Sequence, residues 1–97
     1  MFLILTSKPG QFRTELTAGL REVEAWEYHA HGRTRARFVI AELEGTTKVR
    51  IVDEGAYPVV NQVPSKFFPK FDTIEAARAE LHQLSGASSS GTTLVKL

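Results

Sequence analysis

The stretch WEYHAHGRTRARF, residues 26–38, holds the densest chemistry in the chain. His29 and His31 share one face of an alternating segment with Glu27. Two imidazoles and a carboxylate form a familiar metal-ligand set. Spacing argues against it here. Same-face neighbours on a strand lie about 6.5–7 Å apart, so Glu27 and His31 are separated by about 13 Å and cannot share one ion. A third ligand would have to come from His82 or Glu54, and the adjacent arginines oppose a cation. His29 and His31 are therefore expected on a solvated face, with no metal and no cofactor.

The basic residues come next. Arg33, Arg35, Arg37 and Arg50, with Lys48, cluster around two expected hairpins, near Trp26, Tyr28 and Phe38. Aromatic and basic side chains together make the platforms that bind single-stranded nucleic acid. Alternation puts these aromatics on the face opposite Arg35, Arg37 and Arg50, so bases cannot stack there beside the guanidinium groups. An ion-pair lattice with Glu27 and Glu54 fits the pattern better. Twelve basic side chains against eleven acidic ones, a net charge of +1, also lack the basic excess of most nucleic-acid domains.

Catalytic motifs are not evident. Gly86-Ala87-Ser88-Ser89-Ser90-Gly91-Thr92-Thr93 has the glycine spacing of a phosphate loop, but it lacks the lysine and follows an expected helix instead of opening one. The chain contains no cysteine, which excludes disulfides, thiolate zinc sites and cysteine nucleophiles. Histidine, aspartate and serine occur without a local arrangement that sets a nucleophile beside a base, so no catalytic residue is assigned.

The remaining lead is VPSKFFPKF, residues 63–71, where three phenylalanines interleave with two lysines. Together with Tyr57, residues Lys66, Phe67, Phe68 and Lys70 fit a partner-binding surface, an apolar patch with a polar rim. Adjacent side chains in an extended segment point to opposite sides, so one of Phe67 and Phe68 is expected to turn inward and the other to stay exposed.

These residues need elements to position them. Phe2-Leu3-Ile4-Leu5, closed by Lys8-Pro9-Gly10, fits a strand buried on both faces and central in a sheet. Phe12, Leu16 and Leu20 recur at four-residue spacing, which allows a short helix over 11–20, though Pro9-Gly10 and Gly19 hem it in. From Val23 to Glu54 the period is two, giving a three-strand antiparallel meander. A Gly32-Arg33-Thr34 loop pairs Tyr28 with Phe38 and His29 with Arg37, and a loop at 44–47 pairs Leu43 with Lys48 and Ile40 with Ile51. Val59, Val60 and Val63 fit a short edge strand in the proline-rich connection that follows. Asp72-Thr73-Ile74-Glu75 reads as a capping box with Asp72 as the cap. Ile74, Ala77, Leu81 and Leu84 then mark a helix over about 73–85, stopped at Ser85-Gly86.

The expectation is one α+β domain over 1–97. It has an antiparallel sheet of four or five strands, the meander 23–54 among them, and one C-terminal helix on one face. A flexible Gly/Ser linker at 86–91 leads to a last strand or tail at 92–97. MFLIL is too short for a signal peptide or a membrane span, which points to the cytoplasm and away from membranes. LTSKPGQFRTEL, RARFVIAELEGTTKVRIVDE and SKFFPKFDTIEAARAEL together resemble small uncharacterised proteobacterial proteins; the resemblance covers most of the chain and implies no assigned activity. The function expected is a small non-catalytic protein-interaction or accessory module, binding a protein partner or itself. The alternatives are a nucleic-acid-binding domain using Arg33, Arg35, Arg37 and Arg50, and a small metal- or ligand-dependent enzyme.

Overall fold

A computed structural model describes residues 1–86 and 91–97; the expected Gly/Ser linker falls, at 87–90, outside the described residues. Strands β1 (Phe2–Ser7), β2 (Phe12–Glu15), β3 (Leu20–Ala30), β4 (Arg33–Leu43), β5 (Lys48–Asp53) and β6 (Val60–Pro64) come first. A 3-10 turn at Ser65–Phe67, helix α1 (Ile74–Ser85) and strand β7 (Thr92–Lys96) complete the order. The class is α+β with antiparallel pairing, and the last segment forms a strand. The strands divide between two sheets, ordered β1-β4-β3-β7 and β2-β5-β6.

That division overturns part of the expected meander. Strand β4 has only two edges, and β1 and β3 pair along both. Nothing is left for β5, so Ile40 pairs with Ile4 and Glu24, and Ile51 pairs with Thr14 and Asn61. Lys48 meets Pro64 in place of Leu43. The crossing is pinned at the 44–47 connection. The Glu44 N–H donates to Gly19 O at 2.9 Å, and the Thr47 hydroxyl donates to Ala18 O at 2.8 Å. Gly19 has φ +90°, and an added Cβ would lie 3.3 Å from Glu44 O, so glycine suits this approach twice over.

The β3–β4 hairpin also turns more tightly than expected. His31 and Gly32 form a two-residue turn with φ of 53° and 77°, the positive pair that matches strand twist. Ala30 therefore faces Arg33, and a register shift beyond His29 sets Tyr28 across from Ala36, Glu27 from Arg37 and Trp26 from Phe38. The expected three-residue loop kept the same residues on the same face, which is why burial alone could not tell the two registers apart.

The segment 11–20, left open between helix and other structure, resolves against a helix: residues 12–15 form a strand, tied back to β1 by Thr14 N–H donating to the Ser7 hydroxyl at 2.9 Å. One further expectation fails. Strand β1 is an edge, not a centre. Its apolar run is explained by layers on both sides. Leu3 and Leu5 point into a core with Leu20, Ala41, Leu43 and Val49 between the sheets, while Phe2 and Ile4 meet the helix side. Phe71 covers the start of this edge with reciprocal backbone hydrogen bonds to Phe2 of 2.8 and 2.9 Å.

Helix α1 lies on the outer face of the four-stranded sheet. Ala77 and Leu81 are fully buried against Ala36, Phe38 and Ile40. Leu84, expected on this stripe, is exposed, and Ser85 is buried instead. Trp26 is partly buried on the same face, packed against this core with its ring edge-on to His82 at 5.8 Å. Beside it, Glu24 is buried on the same face and takes a bidentate Arg78 guanidinium, the Trp26 indole N–H at 3.1 Å and the Lys96 ammonium at 3.4 Å. One carboxylate thus ties β3, α1 and β7 together.

The cap is one residue later than expected: Thr73, not Asp72, accepts the Ala76 N–H on its hydroxyl at 3.1 Å. Thr73→Ala should lower stability by about 1 kcal/mol in urea unfolding and Asp72→Ala by much less; equal effects would move the cap back to Asp72. The Arg78 hydrogen bonds, aided by Trp26 and Lys96, hold the Glu24 carboxyl at about 2, below its ordinary 4.5. A depressed carboxylate stabilises the fold fully above the unfolded value and loses that contribution as pH falls from about 4.5 toward 2. Arg78 and Lys96 are about half-exposed, so water screens the attraction and the contribution is smaller than the shift alone would give. Glu24→Gln should flatten the acid limb of a stability-versus-pH curve; an unchanged limb would place the acid sensitivity elsewhere.

Candidate functional site

Strand β6 ends the three-stranded sheet, and among the described residues no strand pairs with its outer side. In an antiparallel pair, residues alternate between exchanging hydrogen bonds with the neighbour and pointing their backbone groups away. Asp53 N–H donates to Val59 O at 2.9 Å and Ser65 N–H to Thr47 O at 2.8 Å, which fixes the phase. Odd-numbered residues of β6 face β5. Val60 and Gln62 therefore turn both backbone groups outward, and Pro64 turns its carbonyl. Proline fits that position because the missing N–H is not needed inside the sheet.

The two ends of β6 differ in charge and each carries an exposed aromatic side chain. At the Val60 end stand Tyr57, 87% exposed, with the half-exposed Val59 and the acids Asp53 and Glu54. At the Pro64 end stands Phe67, 69% exposed, with Lys48, Lys66 and Lys70. The Lys66 ammonium lies 5.3 Å from the Phe67 ring centre, a cation–π contact that holds the ring in water.

The 3-10 turn explains how Phe67 and Phe68 part. Ser65 is buried, its hydroxyl accepting the Thr47 N–H at 3.1 Å, and Phe68 N–H donates back to Ser65 O at 3.1 Å. That closure sends Phe68 onto the core between the sheets and leaves Phe67 outside. Lys70 is less available than a rim lysine. Its ammonium donates to Ser65 O at 3.0 Å and Phe68 O at 3.4 Å, stapling the turn. Of the expected partner-binding set, Lys66 and Phe67 come together and Lys70 braces them. Phe68 is structural, and Tyr57 lies at the far end of β6. Lys48, Asp53 and Glu54 were missed because their place at the ends of β6 depends on the β5–β6 pairing, which no local pattern announces.

The arginines scatter. Arg35 flanks Tyr28 and Leu84 on the helix side, whereas Arg37 lines an open cleft of about 440 Å³ between the sheets, with Phe12, Glu22 and Val39. Arg50 stands on the second sheet and pairs with Glu15 at 2.8 Å, and Arg33 begins β4 beside the hairpin turn. Ion pairs do cross strands, between Glu15 of β2 and Arg50 of β5 and between Arg21 of β3 and Glu42 of β4, but not among the expected Arg37, Glu27 and Glu54. His29 Nε2 lies 3.2 Å from Glu27, and His31 occupies the turn. Among the described residues, no group of three histidine, aspartate or glutamate side chains is placed to hold a metal ion.

Phe68→Ala should lower stability by about 2 kcal/mol, a half-buried ring removed from the core edge, while Phe67→Ala should leave the melting temperature unchanged. Thermal unfolding of the two variants checks this, and equal destabilisation would make the turn a simple cover. No helix among the described residues is long and apolar enough to cross a membrane. No family model matches this chain, and neither a curated protein nor a solved structure matches it significantly.

Proposed function

We propose that this chain is a small non-catalytic protein-interaction or accessory module that docks a protein partner along the β6 edge. The observation that supports it is the splitting of the Phe67–Phe68 pair. An aromatic ring held in water by a rigid, stapled turn contributes nothing to the fold, yet such rings anchor partners. Glu24, held at about 2, is paired with Arg78 and ionised at neutral pH, which suits a structural role. We place the protein in the cytoplasm of a proteobacterium, a reading that rests on its lack of cysteine and on the resemblance of its segments to small proteobacterial proteins.

The test is affinity capture from the native cell with the chain and with Phe67→Ala, alongside sedimentation of the purified proteins. Loss of an anchor ring should weaken association by about 2 kcal/mol, roughly 30-fold, with the fold intact. If Phe67→Ala alters neither capture nor self-association, the module reading loses its support.

A further inference from the structure

We infer that the partner of the β6 edge is a second copy of this chain, joined β6 to β6 in antiparallel fashion about a two-fold axis at Gln62. The inference rests on the interaction-module reading and names its partner.

Backbone geometry comes first. Fullest overlap of two antiparallel β6 strands pairs Gln62 with its own counterpart and Val60 with Pro64 of the other copy. All of these residues turn outward from their own sheet. Each Gln62 N–H meets the opposing Gln62 carbonyl, and each Val60 N–H meets the opposing Pro64 carbonyl. The missing proline N–H leaves only the Val60 carbonyl without a donor in each chain. Two three-stranded sheets become one of six strands.

Side chains then fall into place. Tyr57 and Phe67 lie at opposite ends of β6 within one chain, each exposed. Antiparallel pairing sets the Tyr57 end of one copy against the Phe67 end of the other, twice. The same operation brings the acidic end of one copy, with Asp53 and the Arg13-paired Glu54, toward the lysine end of the other, where Lys48 and Lys66 stand and Lys70 stays in its own turn. A parallel arrangement would instead set acid against acid and lysine against lysine. The charge asymmetry of β6 is therefore complementary to itself only under this two-fold.

The experiment uses the full chain. Sedimentation equilibrium at tens of micromolar should give twice the 10.8 kDa mass of one chain. Gln62→Pro removes an outward donor without touching the chain's own sheet, and the mass should fall to that of one chain while the far-UV circular dichroism keeps the parent's folded spectrum. Because the chain has no cysteine, Gln62→Cys adds a single thiol, and hydrogen-bonded antiparallel partners stand about 5.5 Å apart at Cα, within disulfide reach. Mild oxidation should link Gln62→Cys into a covalent dimer and leave Gln83→Cys, on the exposed side of α1, unlinked. Should Gln62→Pro unfold, the cysteine pair decides alone. A single-chain mass for the parent protein, or no preference for linkage at 62, overturns the inference. Capture of a different protein that still depends on Phe67 would, in that event, leave the interaction module standing with another partner.

Discussion

A strand has two edges, and β4 has spent both. Its eleven residues lie between β1 and β3. That occupancy decides the rest of the architecture. The chain after Leu43 cannot return as a neighbour, so it crosses over the inner face, where Val49 closes the core of Leu3, Leu5, Leu20, Ala41 and Leu43. A second sheet follows from β5 taking β2 on one side and β6 on the other. The exposed edge at β6 is a consequence of the same constraint.

Much of this was legible in the sequence as faces and little of it as partners. Alternation reports which side of a strand is buried, and it correctly separated Trp26, Tyr28, Phe38 and Ile40 from Glu27, Arg37 and Val39. It is blind to which strand lies alongside, because Val49 and Ile51 read the same in a hairpin with β4 as in a sheet packed over it. The helix was legible for a different reason: its cap, stripe and stop are local signals, though the cap slipped by one residue and Leu84 left the stripe to Ser85. Phe12, Leu16 and Leu20 show the converse. Four-residue spacing over so short a stretch does not outweigh pairing with β5, which makes Phe12–Glu15 a strand.

Glu24 marks where sequence logic and structure part most clearly. A glutamate on the apolar face of an alternating strand reads as a break in pattern, and nothing nearby names its partner. The partner is 54 residues away, on the helix. Replacing such a pair by apolar side chains often leaves stability unchanged, whereas removing one partner alone strands a buried charge. Arg78 finds its carboxylate at one rotation and one height of α1 on the sheet. Ala77 and Leu81 supply the burial, and Glu24 selects which way round it is used.

The same distinction between attraction and selection governs the edges. Exposed strand edges invite open-ended association unless something limits them. The β1 edge is closed by Phe71 and by the Thr14 hydrogen bond, and β2 is only four residues long. On β7, the Lys96 ammonium is drawn to Glu24, which keeps a charge beside that edge. β6 is different, with apolar ends of opposite charge and outward backbone groups that match their own reversal. A two-fold contact between identical edges consumes both and leaves no further β6 edge to extend it, so association through this strand stops at two.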